Sequence, residues 1–287
     1  MPSSSVEIDG FTIIRKLGTG ARSVIYLAKD DMTGNTIALK RAFLEKPEDT
    51  RIFEQIEKEY KVARQLDHPH IRKCYKLIKR RKLLRVNEVL LSMEMFEGKP
   101  LEDSPGLSLG DVILIFRMVA TALNYMHQRG FVHCDIKPNN ILIDGKGGLK
   151  VIDLGQSCKL GEIKQRIQGT PDYIAPEQVK RQHLSHRTDI FNLGATMYWA
   201  LTGKNVPTLI PKNMDFATQV LQRREEFRAP HEIYRKIPRS LSQLVLDCVE
   251  EKPADRPESM SSIVSRLDKL IRDIFGNKLQ KNGTASN

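Results

Sequence analysis

Between His133 and Gly155 the sequence gathers side chains suited to handling a hard cation and an anionic group. Asp135 and Asn140 fall in the loop His133-Cys134-Asp135-Ile136-Lys137-Pro138-Asn139-Asn140, and Asp153 lies just beyond a strand pattern, Leu149 to Ile152. Magnesium takes oxygen donors of this kind, together with phosphate oxygens and water. Lys137 places a positive charge close to Asp135. A carboxylate that accepts a hydroxyl proton and a lysine that offsets phosphate charge belong side by side.

Three upstream features bear on the same chemistry. Gly18-Thr19-Gly20-Ala21-Arg22-Ser23 lies between two strand patterns. Glycines there let backbone N–H groups approach phosphate oxygens, although a plain hairpin turn uses glycine as well. Lys40 ends the strand pattern Ile37-Ala38-Leu39-Lys40, where a lysine commonly just reaches solvent. Residues 51–66 have helical spacing, with Ile52, Ile56, Tyr60 and Ala63 on one face and Glu59 at its edge. A carboxylate turned inward there needs a cation, and Lys40 is the available one; otherwise Glu59 bends back to water.

The elements that must position these residues change character along the chain. Strand patterns at 11–17, 23–29, 36–43, 74–79 and 89–95 surround the helix at 51–66. Beyond Gly98 helical patterns dominate, at 109–129, 176–181, 188–202, 214–226, 239–250 and 257–275, interrupted by strand character at 141–153. A β-rich part followed by a helical part is an α+β arrangement. The expected organisation is an N-terminal segment 1–10, an N-lobe 11–97, a C-lobe 98–275 and a polar tail 276–287.

Composition narrows the class. A 287-residue chain with 40% hydrophobic and 28% charged residues can bury a substantial core. No apolar run reaches the roughly 18 to 20 residues of a membrane span, since Arg117, Thr121 and Asn124 interrupt the longest, Val112 to Met126. The four cysteines, Cys74, Cys134, Cys158 and Cys248, form neither a zinc pattern nor a secreted disulfide framework. A soluble, cytoplasmic protein is the expectation. The net charge of +11 is compatible with nucleic acid, anionic lipid or an acidic protein, yet no nucleic-acid-binding motif accompanies it. The dense basic cluster, Lys79-Arg80-Arg81-Lys82 with Arg85, reads as a solvated hairpin, and no nucleic-acid partner is expected.

The order of these motifs resembles a whole eukaryotic-type (Hanks-type) serine/threonine protein kinase catalytic domain over residues 11 to about 275, with features of bacterial members. The resemblance implies the bilobal kinase fold, a β-sheet N-lobe with one helix and a mainly helical C-lobe. It implies transfer of the γ-phosphoryl of ATP, with Mg2+, to serine or threonine hydroxyls of protein substrates. By it, Leu17, Gly18, Thr19 and Gly20 cover ATP, Lys40 holds its phosphates, and Glu59 pairs with Lys40. Met93 backs the adenine pocket, Glu94-Met95-Phe96 forms the hinge, and Ile25, Ala38 and Leu142 sandwich the ring. Asp135 accepts the hydroxyl proton, Lys137 stabilises the transferred group, Thr170 bridges the two, and Asn140 and Asp153 hold the metal. Glu177, in Ala175-Pro176-Glu177, pairs with Arg256. Asp189 opens an apolar helix, where a buried carboxylate must be hydrogen-bonded, and the resemblance has it hold the catalytic loop.

Departures from the family pattern sharpen the expectation. Ser23 replaces the third glycine of the loop, and Leu154 the usual Phe after Asp153. Cys134 stands where an Arg ordinarily meets an activation-segment phosphate, and no Ser, Thr or Tyr lies between Lys159 and Gly169. Receptor and ligand are missing together, so activity independent of loop phosphorylation is expected. Cys158 falls beside Cys134 by the same correspondence, either as a small filler or as half of a redox-sensitive pair. A pseudokinase scaffold that binds ATP and a small-molecule kinase are the alternatives. The complete set of catalytic residues argues against the first, and the Gly169-to-Glu177 segment against the second.

Overall fold

The computed structural model describes residues 7–20, 22–44, 50–207 and 227–276. The chain divides into two compact units, the first running to Gly98 and including Ile152–Gln156, the second made of Lys99–Val151 and the chain from Ser157 onward.

In the first unit, strands β1 (Phe11–Gly20), β2 (Ser23–Asp30), β3 (Thr36–Phe43), β4 (Cys74–Lys82) and β5 (Arg85–Glu94) form an antiparallel sheet in the order β1-β2-β3-β5-β4. Alternation of side chains between the two faces sorts its core. Ile37, Leu39 and Leu90 join Phe11 and Tyr26 on one side, while Ala38, Leu91 and Met93 meet helix α1 (Arg51–Ala63) on the other. The buried face of α1 is Phe53, Ile56, Glu59, Val62 and Ala63. That differs from the face expected from spacing: Ile52 and Tyr60 are only partly buried, and Glu59 lies inside the buried stripe rather than at its edge. The reason is that α1 is covered on two sides, by the sheet and by the 3-10 turn Leu154–Gln156. A Cβ on Gly155 would lie 3.3 Å from the carbonyl oxygen of Gln55, tight enough that turn or helix would have to give by a few tenths of an ångström.

The second unit is mainly helical. Short strands β6 (Lys99–Pro100), β8 (Ile141–Ile143) and β9 (Leu149–Val151) make one small sheet, and β7 (Phe131–Val132) pairs with β10 (Cys158–Lys159). Its helices are α2 (Leu109–Gln128), α3 (Pro176–Val179), α4 (His186–Thr202), α5 (Pro230–Ile233), α6 (Arg239–Cys248) and α7 (Met260–Ile271). Ser108 caps α2 in a reciprocal box with Asp111. By length and composition α2 could cross a bilayer, but its apolar side, including Ile113, Phe116 and Leu123, is buried in this unit, and Arg117 pairs with Asp268 of α7. Helix α4 is buried nearly all round, and at Gly194 an added Cβ would stand 2.5 Å from that of Cys248, so the bare backbone of α4 packs directly on the Cys248 side chain of α6. The helix expected at 214–226 lies outside the described residues, as do the first six residues and the tail beyond Gly276.

Candidate active site

The candidate residues of the first unit gather around Lys40. Its Nζ donates to Glu59 Oε2 at 2.7 Å and lies 3.9 Å from Asp153 Oδ1. Arg72, which sequence reasoning missed, approaches the other oxygen of Glu59 at 3.9 Å. Glu59 is 1% exposed, so these two cations face it in place of water. Burial by itself would lower the Lys40 pKa; the carboxylates of Glu59 and Asp153 more than offset it and hold the group above its ordinary value. Asp153 has φ +62°, a left-handed conformation uncommon for an aspartate, and its side chain keeps 42% of its surface accessible.

The residues expected to hold a nucleotide fall mostly on the same sheet. Gly18, Thr19 and Gly20 run along the end of β1 opposite Ile25, Val24 and Ser23. Ala38 and Met93 are cross-strand partners, and Leu17, Ile25 and Met95 pack partly buried against their cluster. Glu94 closes β5, and Met95 and Phe96 follow it, partly exposed. Leu142 lies on β8, in the second unit.

The candidate residues of that second unit gather around Asp135. Thr170 donates to Asp135 Oδ1 through both its N–H and its hydroxyl, each at 3.1 Å. Lys137 Nζ lies 3.2 Å from Asp135 Oδ2 and donates to Thr170 Oγ1 at 2.7 Å. Asn140 Nδ2 donates to the Asp135 carbonyl at 2.8 Å and to its Oδ2 at 3.2 Å. Both N–H groups of that amide are thereby committed, which leaves its oxygen as the atom suited to a cation. Among the described residues no group of three or more His, Cys, Asp and Glu could hold a metal, so any metal here must take oxygen ligands from elsewhere, such as phosphate.

One buried carboxylate clamps this loop, and a buried ion pair lies elsewhere in the same unit. Asp189, fully buried in the first turn of α4, accepts from the N–H groups of His133 and Cys134 at 2.8 Å each, and from His127 Nε2 at 2.8 Å. Burial alone would raise its pKa, but these donors win and hold the carboxyl below its ordinary value. Glu177 and Arg256 form a bidentate pair at 2.8 and 3.0 Å, both essentially inaccessible. Sequence reasoning missed His127 and Gln178. Gln178 Nε2 donates to the carbonyls of Cys134 at 2.8 Å and Gln168 at 3.1 Å, while its oxygen accepts from Asn192 Nδ2 at 3.0 Å. The available signal was polarity at Asn192, a polar position inside an otherwise apolar segment that a folded chain must satisfy; Gln178, among Glu177, Lys180 and Arg181, carried none.

Cys134 has φ +67° and is completely buried, with its Sγ 3.4 Å from that of Cys158. Val132 and Leu184 complete a small apolar cluster around them. Burial pushes the Cys134 thiol well above its ordinary pKa, while the hydrogen bond from Cys134 pulls Cys158 down. Gly169, with φ +133°, turns the chain beside Ile174 and Gln178 and sets Thr170 against Asp135.

The sequence has named relatives. The chain is similar to the serine/threonine-protein kinase PrkC of Bacillus subtilis (27% identical, covering 87% of this chain and 38% of the relative). It is also similar to the serine/threonine-protein kinases Pkn1 of Myxococcus xanthus (27% identical, 95% and 40%) and PknD of Chlamydia pneumoniae (25% identical, 92% and 31%). It therefore spans 40% or less of the length of these relatives. A family model for the protein kinase domain matches residues 11–266, and by that match the chain belongs to the protein kinase family.

Proposed function

We propose that the chain catalyses phosphoryl transfer from ATP to serine or threonine hydroxyls of proteins. The observation that carries this reading is the arrangement at Asp135, whose two oxygens receive Thr170, Lys137 and Asn140. A carboxylate offers about four acceptor sites, so these donors fill it and fix its orientation. Lys137 has the longest and most rotatable stem of the three, and an anionic phosphoryl group competes for its ammonium. As Lys137 turns toward that charge, Asp135 Oδ2 gains an acceptor site for the substrate hydroxyl proton. Thr170 meanwhile holds Oδ1 in place through two bonds.

In the first unit, Lys40 is proposed to bind nucleotide phosphate, held in position by Glu59. Ala38, Met93, Ile25 and Leu17 supply an apolar surface for the adenine, with the backbone of Glu94-Met95-Phe96 to hydrogen-bond it. Asn140 and Asp153 are each proposed as an oxygen ligand to magnesium, which when bound supplies positive charge against phosphate oxygens. The names of the similar kinases support the choice of serine and threonine over other acceptors.

Independence from activation-segment phosphorylation belongs to the same proposal. It is supported by the complete burial of Cys134, and by the lack of any Ser, Thr or Tyr between Lys159 and Gly169. The test is ATP turnover and protein phosphorylation by the wild type and by Asp135→Asn. Loss of transfer with retained ATP binding in the variant supports the reading. A wild type that binds ATP without turning it over would leave a scaffold instead, and one that phosphorylates only small molecules would overturn the protein-substrate claim.

A further inference from the structure

The β4–β5 hairpin carries features that the fold disfavours. Lys82 and Arg85 are cross-strand partners, so the loop between them is the two residues Leu83 and Leu84. Two-residue hairpin loops favour Asn and Gly because they require positive φ. Leu83 adopts φ +56°, a conformation that a leucine reaches only at a cost. Both leucines are 94% exposed, so neither gains anything from a core. Lys82 and Arg85 add like charges directly opposed across the strands, which is destabilising as well.

The neighbouring charges divide into two groups. Lys79 is held by Glu57 at 2.6 Å and Arg80 by Glu88 at 3.2 Å. Arg81, Lys82 and Arg85 are exposed and, among the described residues, have no carboxylate partner. A solvated hairpin accounts for the cations but not for the leucines. A nucleic-acid surface accounts for the cations too, yet offers aliphatic side chains little, since its apolar surface is the stacked base that aromatic residues read. Two leucines at the tip with cations just behind them match an anionic bilayer, whose acyl boundary takes the leucines while its headgroups neutralise the cations.

We propose that the Arg81–Arg85 hairpin tip is a membrane-surface site that docks this face of the first unit on anionic phospholipid. Each exposed Lys or Arg near such a surface strengthens binding roughly fivefold. Burial of the two leucines adds at least about tenfold.

The test is co-sedimentation of the 287-residue chain with vesicles of phosphatidylcholine alone, and of phosphatidylcholine mixed with phosphatidylglycerol. Binding is expected only to the mixed vesicles, and to weaken as salt rises. Leu83→Ser with Leu84→Ser is expected to weaken it at least about tenfold, and Arg81→Gln, Lys82→Gln and Arg85→Gln together to weaken it roughly a hundredfold at low salt. Each variant should keep the wild-type circular dichroism and phosphorylate a soluble peptide at the wild-type rate. Wild-type chain that ignores the mixed vesicles overturns the proposal. So does a leucine variant that binds as the wild type does, because the overall charge would then suffice. Retention of an RNA or DNA oligonucleotide, lost in the charge variant without any vesicle binding, would assign the patch to nucleic acid instead.

Discussion

Thr170 reaches Asp135 twice, its amide and its hydroxyl both donating to Oδ1 at 3.1 Å, while the same hydroxyl accepts from Lys137 at 2.7 Å. One threonine thus orients the proposed base and restrains the proposed phosphate-binding cation. Thr170→Val keeps the amide bond and loses both hydroxyl bonds. Hydrogen bonds to charged groups are worth about 1.5–3 kcal/mol, so kcat should fall about 10- to 100-fold. Thr170→Ser should restore most of it. Steady-state kinetics on a serine-containing peptide check this, and a valine variant with unchanged kcat would remove Thr170 from the mechanism.

The Lys40–Glu59 pair predicts an alkaline limit. The folded pKa of Lys40 lies above its ordinary 10.5, so the pair's stabilisation is fully present below about that pH and is lost as pH rises through the folded value. Glu59→Gln removes the main cause of the shift and leaves a buried cation poorly paired. Thermal melts should show a loss on the order of 3–5 kcal/mol near neutrality, with a flatter decline toward high pH. A melt as stable as the wild type would show that Arg72 and Asp153 are not dependent on Glu59.

An acid limit arises at His186. Burial, and then the neighbouring His127, depress its pKa below the ordinary 6.5. The folded chain therefore favours the neutral ring, so this contribution is complete above about pH 6.5 and is lost as pH falls through the depressed folded value. Arg187 adds to the depression, while Asp189 and a backbone bond to Glu258 oppose it. His186→Gln should flatten the melting temperature between neutral pH and pH 5; an unchanged slope would place the acid sensitivity elsewhere.

Glu177 and Arg256 illustrate a buried pair whose loss leaves an uncompensated charge. Arg256→Met should cost about 3–5 kcal/mol in denaturant unfolding, and more than Glu177→Gln with Arg256→Met together. Arg256 also donates to the carbonyls of Glu250 and Glu251, so the double variant is not expected to return to wild-type stability.

The thiols of Cys134 and Cys158, 3.4 Å apart, need to approach by about 1.4 Å to reach the disulfide length of about 2.05 Å. Hydrogen peroxide would take two electrons from the pair, joining the sulfurs and carrying both thiol protons into water. A non-reducing peptide map is expected to show the 134–158 link with a fall in activity that a dithiol reverses. An unlinked map with unchanged activity would leave the two cysteines as small fillers. Phosphatase treatment should leave basal activity unchanged in either case.

The sequence by itself determined the α+β order of elements and the identity of the chemically capable residues, because strand alternation, helical spacing and motif order are local properties. It offered Lys40 as the cation for an inward Glu59 while leaving a solvent-facing Glu59 open, and only the resemblance to the kinase family implied the pair. Tertiary structure decided what depends on residues far apart in the chain. Segment 152–156 belongs with the first unit, which covers α1 from a second side and moves Glu59 from the edge of its face to the interior. His127, Gln178 and Asn192 became part of the loop's support only when α2, α3 and α4 came together: Gln178 reaches the buried carbonyl of Cys134, while His127 holds Asp189 and Asn192 holds Gln178. The hairpin tip is the converse case. Its leucines look unremarkable as residues, and only the pairing of Lys82 with Arg85 leaves them in a two-residue turn with no core within reach.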